Sequence, residues 1–425
     1  MTKKEIFETI VDVVHHDSAT KKDIVGADPD QYRARISENM SEDDFYYQVR
    51  SYLASFGVLS HLNFFPKKSA KVGFRLRSLE EALIVEVADE STGLIIGDEI
   101  IKIAGQTLND FKKKHASIFV SKTPERQYMD WAYLITKVKT VRVLRDGKEL
   151  DLLIGAAGKS QQKAFQACYL NSETYYIRME NFNDEASIAS LYEKAFPELQ
   201  KAKYAIIDVR VNHGGSDSLY FPLLDYLLPA NQTYQNLTIE DDFGMEILYT
   251  PRTKNLRLAE FQDSLDNPNT SAATRQMLEE MTADLLSNQQ EGYQIYKEDG
   301  DDFLSRYKGK MSAPEKVIIL SDVTCGSSGD NFVLMMKAMP KVRVMGRPTM
   351  GILDYSNCCM LDFKDYQMLY PTSRSLAIDS GKGMTDVGVE PHVVIPWTRQ
   401  HLVEDVDIKT ALAYLGQDTE DDAND

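Results

Sequence analysis

The chain has 425 residues, of which 43% are hydrophobic and 27% charged, a composition typical of globular proteins rather than of disordered, collagenous or coiled-coil ones. At roughly 150 residues per domain, this length predicts two or three domains. Asp and Glu number 65 against 48 Lys and Arg, and the net charge of −17 argues against nucleic acids and anionic membranes as partners.

Localisation is predicted from the cysteines and the N-terminus. The four cysteines, at positions 168, 325, 358 and 359, show neither the density of a disulfide framework nor the spacing of a zinc site. The first residues lack the apolar core and the cleavage site of a signal peptide, and no run of ~18 apolar residues occurs in the sequence. We therefore expect reduced thiols and a cytoplasmic protein.

Residues 1–66 are predicted to form a helical region that ends in a short strand. Ile6, Ile10 and Val14 recur at helical spacing, and the acidic run after Ser41 is typical of a helix N-terminus. Ser60-His61 lies in the turn that follows the helices.

Residues 67–157 change to short strands, predicted over 71–77, 82–87 and 140–144, with a hairpin signal at Asp146-Gly147. The stretch Gly97-Asp98-x-Ile-x-x-Ile-x-Gly105 resembles the signature of PDZ domains. A generic small β-rich domain remains the alternative.

Residues 158–425 alternate strands and helices, which predicts an α/β domain with a largely buried sheet. The predicted strands are 175–179, 204–209, 317–320, 342–345 and 393–395, and the predicted helices include 186–200. Residues 230–312 are polar and poorly periodic apart from a helical piece at 273–286, so we interpret them as an insertion that forms a lid or a cleft wall. Residues 417–425 are rich in acids and predict a solvated tail.

Small residues from Thr324 to Asp330 lie between a buried strand and a helix predicted over 331–339. A turn of this kind exposes a hydroxyl at a helix N-terminus, where free N–H groups can stabilise an oxyanion. An ordinary N-cap is the alternative, because serine and threonine are favoured there anyway.

A second loop, Asn212-His-Gly-Gly215, also follows a buried strand, and its paired glycines let backbone N–H groups approach a ligand. His61, one of seven histidines, is a candidate general base because a neutral imidazole near pH 7 suits that role. Taken singly, these residues are more often explained by a tight turn and by a structural histidine.

Together these motifs resemble the tricorn/C-terminal-processing serine peptidase family. The matching segments are Asp208-x-Arg210-x-Asn212-x-Gly214-Gly215, Thr324–Asp330, Gly346-Arg-Pro-Thr-x-Gly351 and Gly388-Val-Glu-Pro-His392, where His392 replaces the usual Asp. The resemblance implies an α/β protein in three parts: an N-terminal helical region (1–66), a PDZ-like β-rich domain (67–157) and a crotonase- or Clp-protease-like catalytic domain (158–425).

The family has two catalytic designs. One uses a lysine, whose position by counting without gaps is Ile352, which cannot take a proton. The tricorn-like design uses a Ser-His pair ahead of the PDZ-like domain, and Ser60-His61 matches it in position and identity. By this resemblance Ser327 is the nucleophile, with Ser328 as the alternative, and His61 is the base.

The resemblance also implies supporting residues. Ser60 would help to orient the site, and Asp386, or else Glu390, would be the acid that supports the histidine. Asp330 stands where the family has a glutamate. Backbone N–H groups of the oxyanion hole would come from Gly214, Gly215 and Ser328.

The implied function is hydrolysis of peptide bonds through an acyl-enzyme, without a metal or organic cofactor. The substrates would be intracellular peptides or protein C-terminal tails, and a terminal carboxylate would bind near Gly73-Phe74 of the PDZ-like domain. An oligomer is compatible with this interpretation. The rival is an inactive PDZ-containing binding or scaffold protein of the same fold; an α/β-hydrolase esterase is disfavoured because its nucleophile elbow is absent.

Overall fold

The computed structural model describes residues 1–68, 71–156, 164–237, 244–268, 270, 272–296, 303–310 and 312–421. Its helices are α1 (Lys3–His16), α2 (Asp30–Arg33), α3 (Glu42–Ala54), α4 (Leu108–Lys114), α5 (Tyr128–Val138), α6 (Glu185–Leu199), α7 (Leu224–Leu227), α8 (Pro251–Asp266), α9 (Ala272–Ser287), α10 (Ser328–Lys337) and α11 (Val406–Asp421). Its strands are β1 (Asn63–Pro66), β2 (Phe74–Leu79), β3 (Ala82–Ala88), β4 (Glu99–Ile103), β5 (Gln106–Thr107), β6 (Thr140–Arg145), β7 (Lys148–Leu153), β8 (Phe165–Tyr169), β9 (Thr174–Met179), β10 (Tyr204–Asp208), β11 (Met245–Tyr249), β12 (Gly292–Tyr296), β13 (Lys316–Ser321), β14 (Val342–Gly346), β15 (Tyr355–Asp362), β16 (Tyr366–Ser375) and β17 (Val393–Val394).

The central sheet has the strand order β17-β14-β13-β10-β9-β8. All neighbours in it are parallel except β8, which runs antiparallel to β9. One face packs against α6 and α10 in the largest apolar core, and α11 covers the other face. Because β10 and β13 are adjacent and parallel, the loops after Asp208 and Ser321 leave the same edge of the sheet.

A second sheet is built around β16. This long strand pairs antiparallel with β15 along one edge and with β1 and β11 along the other, and β12 extends the sheet beyond β11. Helices α1 and α3 pack on this sheet, so the N-terminal helices share a core with β15 and β16. Chain segments far apart in sequence are thereby held side by side.

The third sheet is antiparallel, in the order β2-β3-β4-β6-β7, with β5 beside β4. Its apolar face packs against α4 and α5. Strands β6 and β7 are joined through Asp146-Gly147, both with positive φ, as the hairpin signal predicts. Strand β2 is the outer strand at one end of this sheet.

The predicted mixed α/β class is confirmed. The predicted helices 186–200, 273–286 and 331–339 correspond to α6, α9 and α10, and the last of these begins three residues earlier than predicted. The predicted tail from residue 417 is helical as far as Asp421, and residues 422–425 lie outside the described ranges, as does the predicted boundary at 158. None of the helices described is long and apolar enough to cross a membrane.

Candidate active site

Ser327 lies at the tip of the turn that joins β13 to α10, and its backbone has φ 60° and ψ −125°. A non-glycine residue adopts positive φ only where its surroundings enforce it, and such residues cluster at functional sites. The turn holds the Ser327 hydroxyl away from the sheet at the N-terminus of α10. The side chain of Ser328 is used differently, because its hydroxyl donates to the carbonyl of Gly215 at 2.6 Å.

His61 reaches this turn from the second sheet. It precedes β1 by two residues, and its Nε2 lies 3.1 Å from the Oγ of Ser327. Its Nδ1 lies 2.6 Å from the main-chain carbonyl of Tyr355. Since a carbonyl only accepts, Nδ1 carries the proton and Nε2 is left to accept from the serine hydroxyl.

Burial lowers the pKa of His61 below its ordinary value, and the carbonyls of Tyr355 and Ile352 only partly oppose this effect. The side chain is only 7% exposed. The imidazole is therefore neutral at pH 7, which is the state a general base requires.

The glycine-rich loop after β10 lies against Ser327. A Cβ built on Gly214, where φ is +79°, would come within 2.6 Å of the Ser327 Cβ, so only glycine fits. The N–H of Gly214 donates to the side-chain oxygen of Asn212 at 2.9 Å, in disagreement with its predicted place in the oxyanion hole. The N–H groups of Gly215 and Ser328 take part in none of the hydrogen bonds found among the described residues, so both remain available as donors.

Asp330 holds the nucleophile turn through a hydrogen bond to its backbone. Its buried carboxylate accepts from the N–H of Ser327 at 2.8 Å, of Gly351 at 2.9 Å and of Ile352 at 3.1 Å. Burial raises the pKa of Asp330, and these donors oppose the rise. The shorter acid at this position thus joins the serine turn to the turn after β14.

Asp322, which precedes the nucleophile turn in the sequence, is the centre of a buried cluster of ion pairs. Its carboxylate binds Arg77 of β2 at 2.6 Å and Arg347, which follows β14, at 2.9 Å. Burial opposes ionisation, but the two guanidinium groups outweigh it and hold the pKa of Asp322 well below its usual range. Sequence reasoning missed this cluster, although Arg347 belongs to the Gly346–Gly351 motif.

Asp386 does not approach His61, and its predicted role as the supporting acid is corrected. Its carboxylate accepts from the hydroxyl of Ser121 and, at 2.8 Å, from the N–H of Lys122, both in the loop before α5. The alternative acid, Glu390, is exposed, and its carbonyl accepts from Lys337. The backbone of Asp386 has φ +61°, and its side chain is directed to the loop before α5.

The other predicted residues have these positions. The hydroxyl of Ser60 faces Met350 Sδ at 3.8 Å instead of Ser327. Phe74 is the first residue of β2, which also contains Arg77, and Gly73 directly precedes the strand. His392 directly precedes β17, and its Nδ1 accepts from the N–H of Val344 on β14 at 2.9 Å. Among the described residues, no group of three or more His, Cys, Asp or Glu side chains could hold a metal ion.

The sequence model of peptidase family S41 matches residues 173–395, which is more than half of the chain. The chain belongs to peptidase family S41. The family resemblance inferred from the motifs is therefore confirmed, and membership indicates a serine-type peptidase.

Solved structures are similar in fold at low identity. The structure of mature CPAF complexed with lactacystin is 14% identical, covers 98% of this chain and 97% of that one, and has a TM-score of 0.62. The photosystem II D1 C-terminal processing protease is 14% identical over 93% of each chain, with a TM-score of 0.46. The tricorn protease is 14% identical over 98% of this chain and 36% of its own, with a TM-score of 0.45. No curated protein sequence matches the chain significantly.

Proposed function

We propose that this S41 peptidase cleaves peptide bonds with Ser327 as nucleophile and His61 as general base. The observation that carries the proposal is the 3.1 Å separation of Ser327 Oγ and His61 Nε2, with Nδ1 bound to a carbonyl. The Ser-Lys design is disfavoured because Ile352 is an apolar, buried side chain, with its Cδ1 beside Gly326.

In this mechanism His61 accepts the hydroxyl proton as Ser327 Oγ bonds to the peptide carbonyl carbon. The N–H groups of Gly215 and Ser328 stabilise the resulting oxyanion. The imidazolium then gives its proton to the leaving amine, the C–N bond breaks, and water hydrolyses the acyl-enzyme with His61 again as base. Removing one oxyanion donor typically costs about 10²–10³ in turnover.

The third sheet is proposed to bind the substrate as a PDZ-like domain. Strand β2 is an outer strand, and its Arg77 is ion-paired with Asp322, five residues before Ser327. A peptide added along β2, with its carboxylate near Gly73-Phe74, would therefore lie beside the catalytic turn. Intracellular peptides or protein C-terminal tails remain the proposed substrates, and the cytoplasm remains the proposed location.

The test is covalent labelling with a fluorophosphonate probe, followed by identification of the modified peptide. Wild-type protein should be labelled on Ser327, and Ser327→Ala should lose both labelling and peptidase activity. Ser328→Ala is the matched control, because its hydroxyl is bound to Gly215 while its N–H remains. Labelling of Ser328, or activity that survives Ser327→Ala, would refute the assignment; a folded wild-type protein that neither labels nor cleaves peptides would support the scaffold alternative.

A further inference from the structure

The histidine of the proposed catalytic pair has a main-chain carbonyl where serine peptidases commonly place a carboxylate. We propose that the carbonyl of Tyr355 orients His61 and that the Tyr355 side chain, through Asp23 and Arg374, holds this carbonyl in position. The inference rests on the proposed Ser327–His61 chemistry and adds a positioning residue to it.

The carboxylates around the site have other partners. Asp386 binds Ser121 and Lys122, and Asp330 binds the N–H groups of the two turns. Asp354, one residue before Tyr355, accepts from the N–H and the hydroxyl of Thr385, each at 2.7 Å. Nδ1 of His61 instead has the Tyr355 carbonyl at 2.6 Å, a short and direct hydrogen bond.

Tyr355 is anchored at both ends. It is the first residue of β15 and lies directly opposite Arg374 on β16, so its backbone is fixed by the sheet. Its hydroxyl donates to Asp23 Oδ2 at 3.0 Å. Arg374 binds the same carboxylate through Nε at 2.7 Å and Nη2 at 2.9 Å.

Arg374 is held by contacts with three carboxylates. Its side chain is fully buried, and it also binds Glu246 at 2.7 Å and Asp379 at 2.8 Å. A buried guanidinium with several carboxylate partners has little freedom to move, because losing any partner leaves an unpaired charge. The contacts that join Arg374 to Asp23, and Asp23 to the Tyr355 hydroxyl, therefore limit how far the Tyr355 carbonyl can shift from His61.

This arrangement matters because the tautomer decides whether Nε2 can accept. In a serine peptidase triad, loss of the correct tautomer costs about 10⁴ in turnover. A neutral carbonyl fixes the tautomer but stabilises the imidazolium less than a carboxylate does. Burial lowers the pKa of His61, and the hydrogen bond to the Tyr355 carbonyl opposes this lowering only in part.

The decisive measurement is nitrogen NMR on the full chain with labelled histidine at a pH where His61 is neutral. We expect a protonated Nδ1 and an unprotonated Nε2 for the resonance that is absent from His61→Gln. The opposite tautomer would overturn the inference. This readout does not depend on activity, so it separates the inference from the proposed function, which fails if Ser327→Ala remains active.

Two variants test the support of the carbonyl. Tyr355→Phe keeps the ring and removes only the hydroxyl, and Asp23→Asn weakens the same contact from the other side. For each we expect kcat to fall roughly three- to tenfold, as for loss of one hydrogen bond, with KM unchanged and faster solvent exchange of the Nδ1 proton. A lower melting temperature with unchanged kcat and exchange would show that the hydroxyl is merely structural and would overturn its positioning role.

Asp386→Asn tests the rival acid. We expect it to keep at least about a third of the wild-type kcat, because the carboxylate is engaged by Ser121 and Lys122. A loss of about 10³ or more, with normal folding, would mean that Asp386 supports His61 during turnover and would overturn the inference.

Discussion

Replacing Gly214 with alanine should disable the site while leaving the fold largely intact. A Cβ at this position would lie 2.6 Å from the Ser327 Cβ, 2.9 Å from the Gly326 carbonyl and 3.0 Å from the Ser328 nitrogen. All three neighbours belong to the nucleophile turn, and two of them are backbone atoms. The turn must therefore move as a unit to admit a methyl group.

The expected magnitude has two parts. Alanine at the observed φ of +79° costs about 1–2 kcal/mol in backbone strain. Overpacking against the turn adds about 1–3 kcal/mol, so the free energy of unfolding should fall by about 2–5 kcal/mol. A displacement of Ser327 on the order of 1 Å should reduce kcat about 10²-fold.

Gly147→Ala is the matched control, because Gly147 has φ +74° and nothing lies within 4 Å of the added Cβ. It should show the strain alone, about 1–2 kcal/mol, with wild-type kcat. Thermal unfolding and steady-state cleavage of a peptide substrate, measured on both variants, separate the two parts. A Gly214→Ala protein whose kcat stays within threefold of wild type would refute the close approach of this loop to the nucleophile.

Two further predictions concern buried ionisable groups. Since burial lowers the pKa of His61 below 6.5 and the neutral imidazole is the base, the fall of kcat/KM on the acidic side should have its midpoint below pH 6.5. On acidification, His61 is protonated in the unfolded chain before it is protonated in the folded protein, so the free energy of unfolding should also fall as the pH drops below about 6.5. A kcat/KM profile that already falls above about pH 7 would contradict the role of His61 as the base. Asp330→Asn should lower kcat at least about tenfold and lower the free energy of unfolding by about 1–3 kcal/mol. The reason is that an amide cannot accept from all the N–H groups of Ser327, Gly351 and Ile352. Kinetics and melting curves that match those of the wild type would contradict this role of Asp330.

Local patterns in the chain predicted the strands and helices that carry the two loops of the site, but not β15 and β16 of the second sheet. The apolar runs at 204–209 and 317–320 became adjacent parallel strands, and the small residues after each formed the two loops of the site. These features are readable because burial on both sides of a parallel sheet demands continuous apolar sequence, and tight turns demand glycine and small polar residues.

The direction of the Asp386 side chain could not be predicted from the sequence. Its position before the closing motif suggested a carboxylate for His61, yet the side chain is directed to Ser121 and Lys122 in the loop before α5. Which way an acid points depends on the backbone angles of its loop and on donors far away in sequence. No local pattern contains either.

The sequence by itself determined the family, the serine and histidine candidates and the alternating strands and helices. Only the tertiary structure decided how His61 is oriented, because its partner is the main-chain carbonyl of Tyr355, which every residue type would supply equally. The strand pairing of β15 with β16 and the buried contacts of Arg374 place that carbonyl. Such contacts bring together residues some 290 positions apart, and their geometry comes from packing whole sheets against each other rather than from any motif.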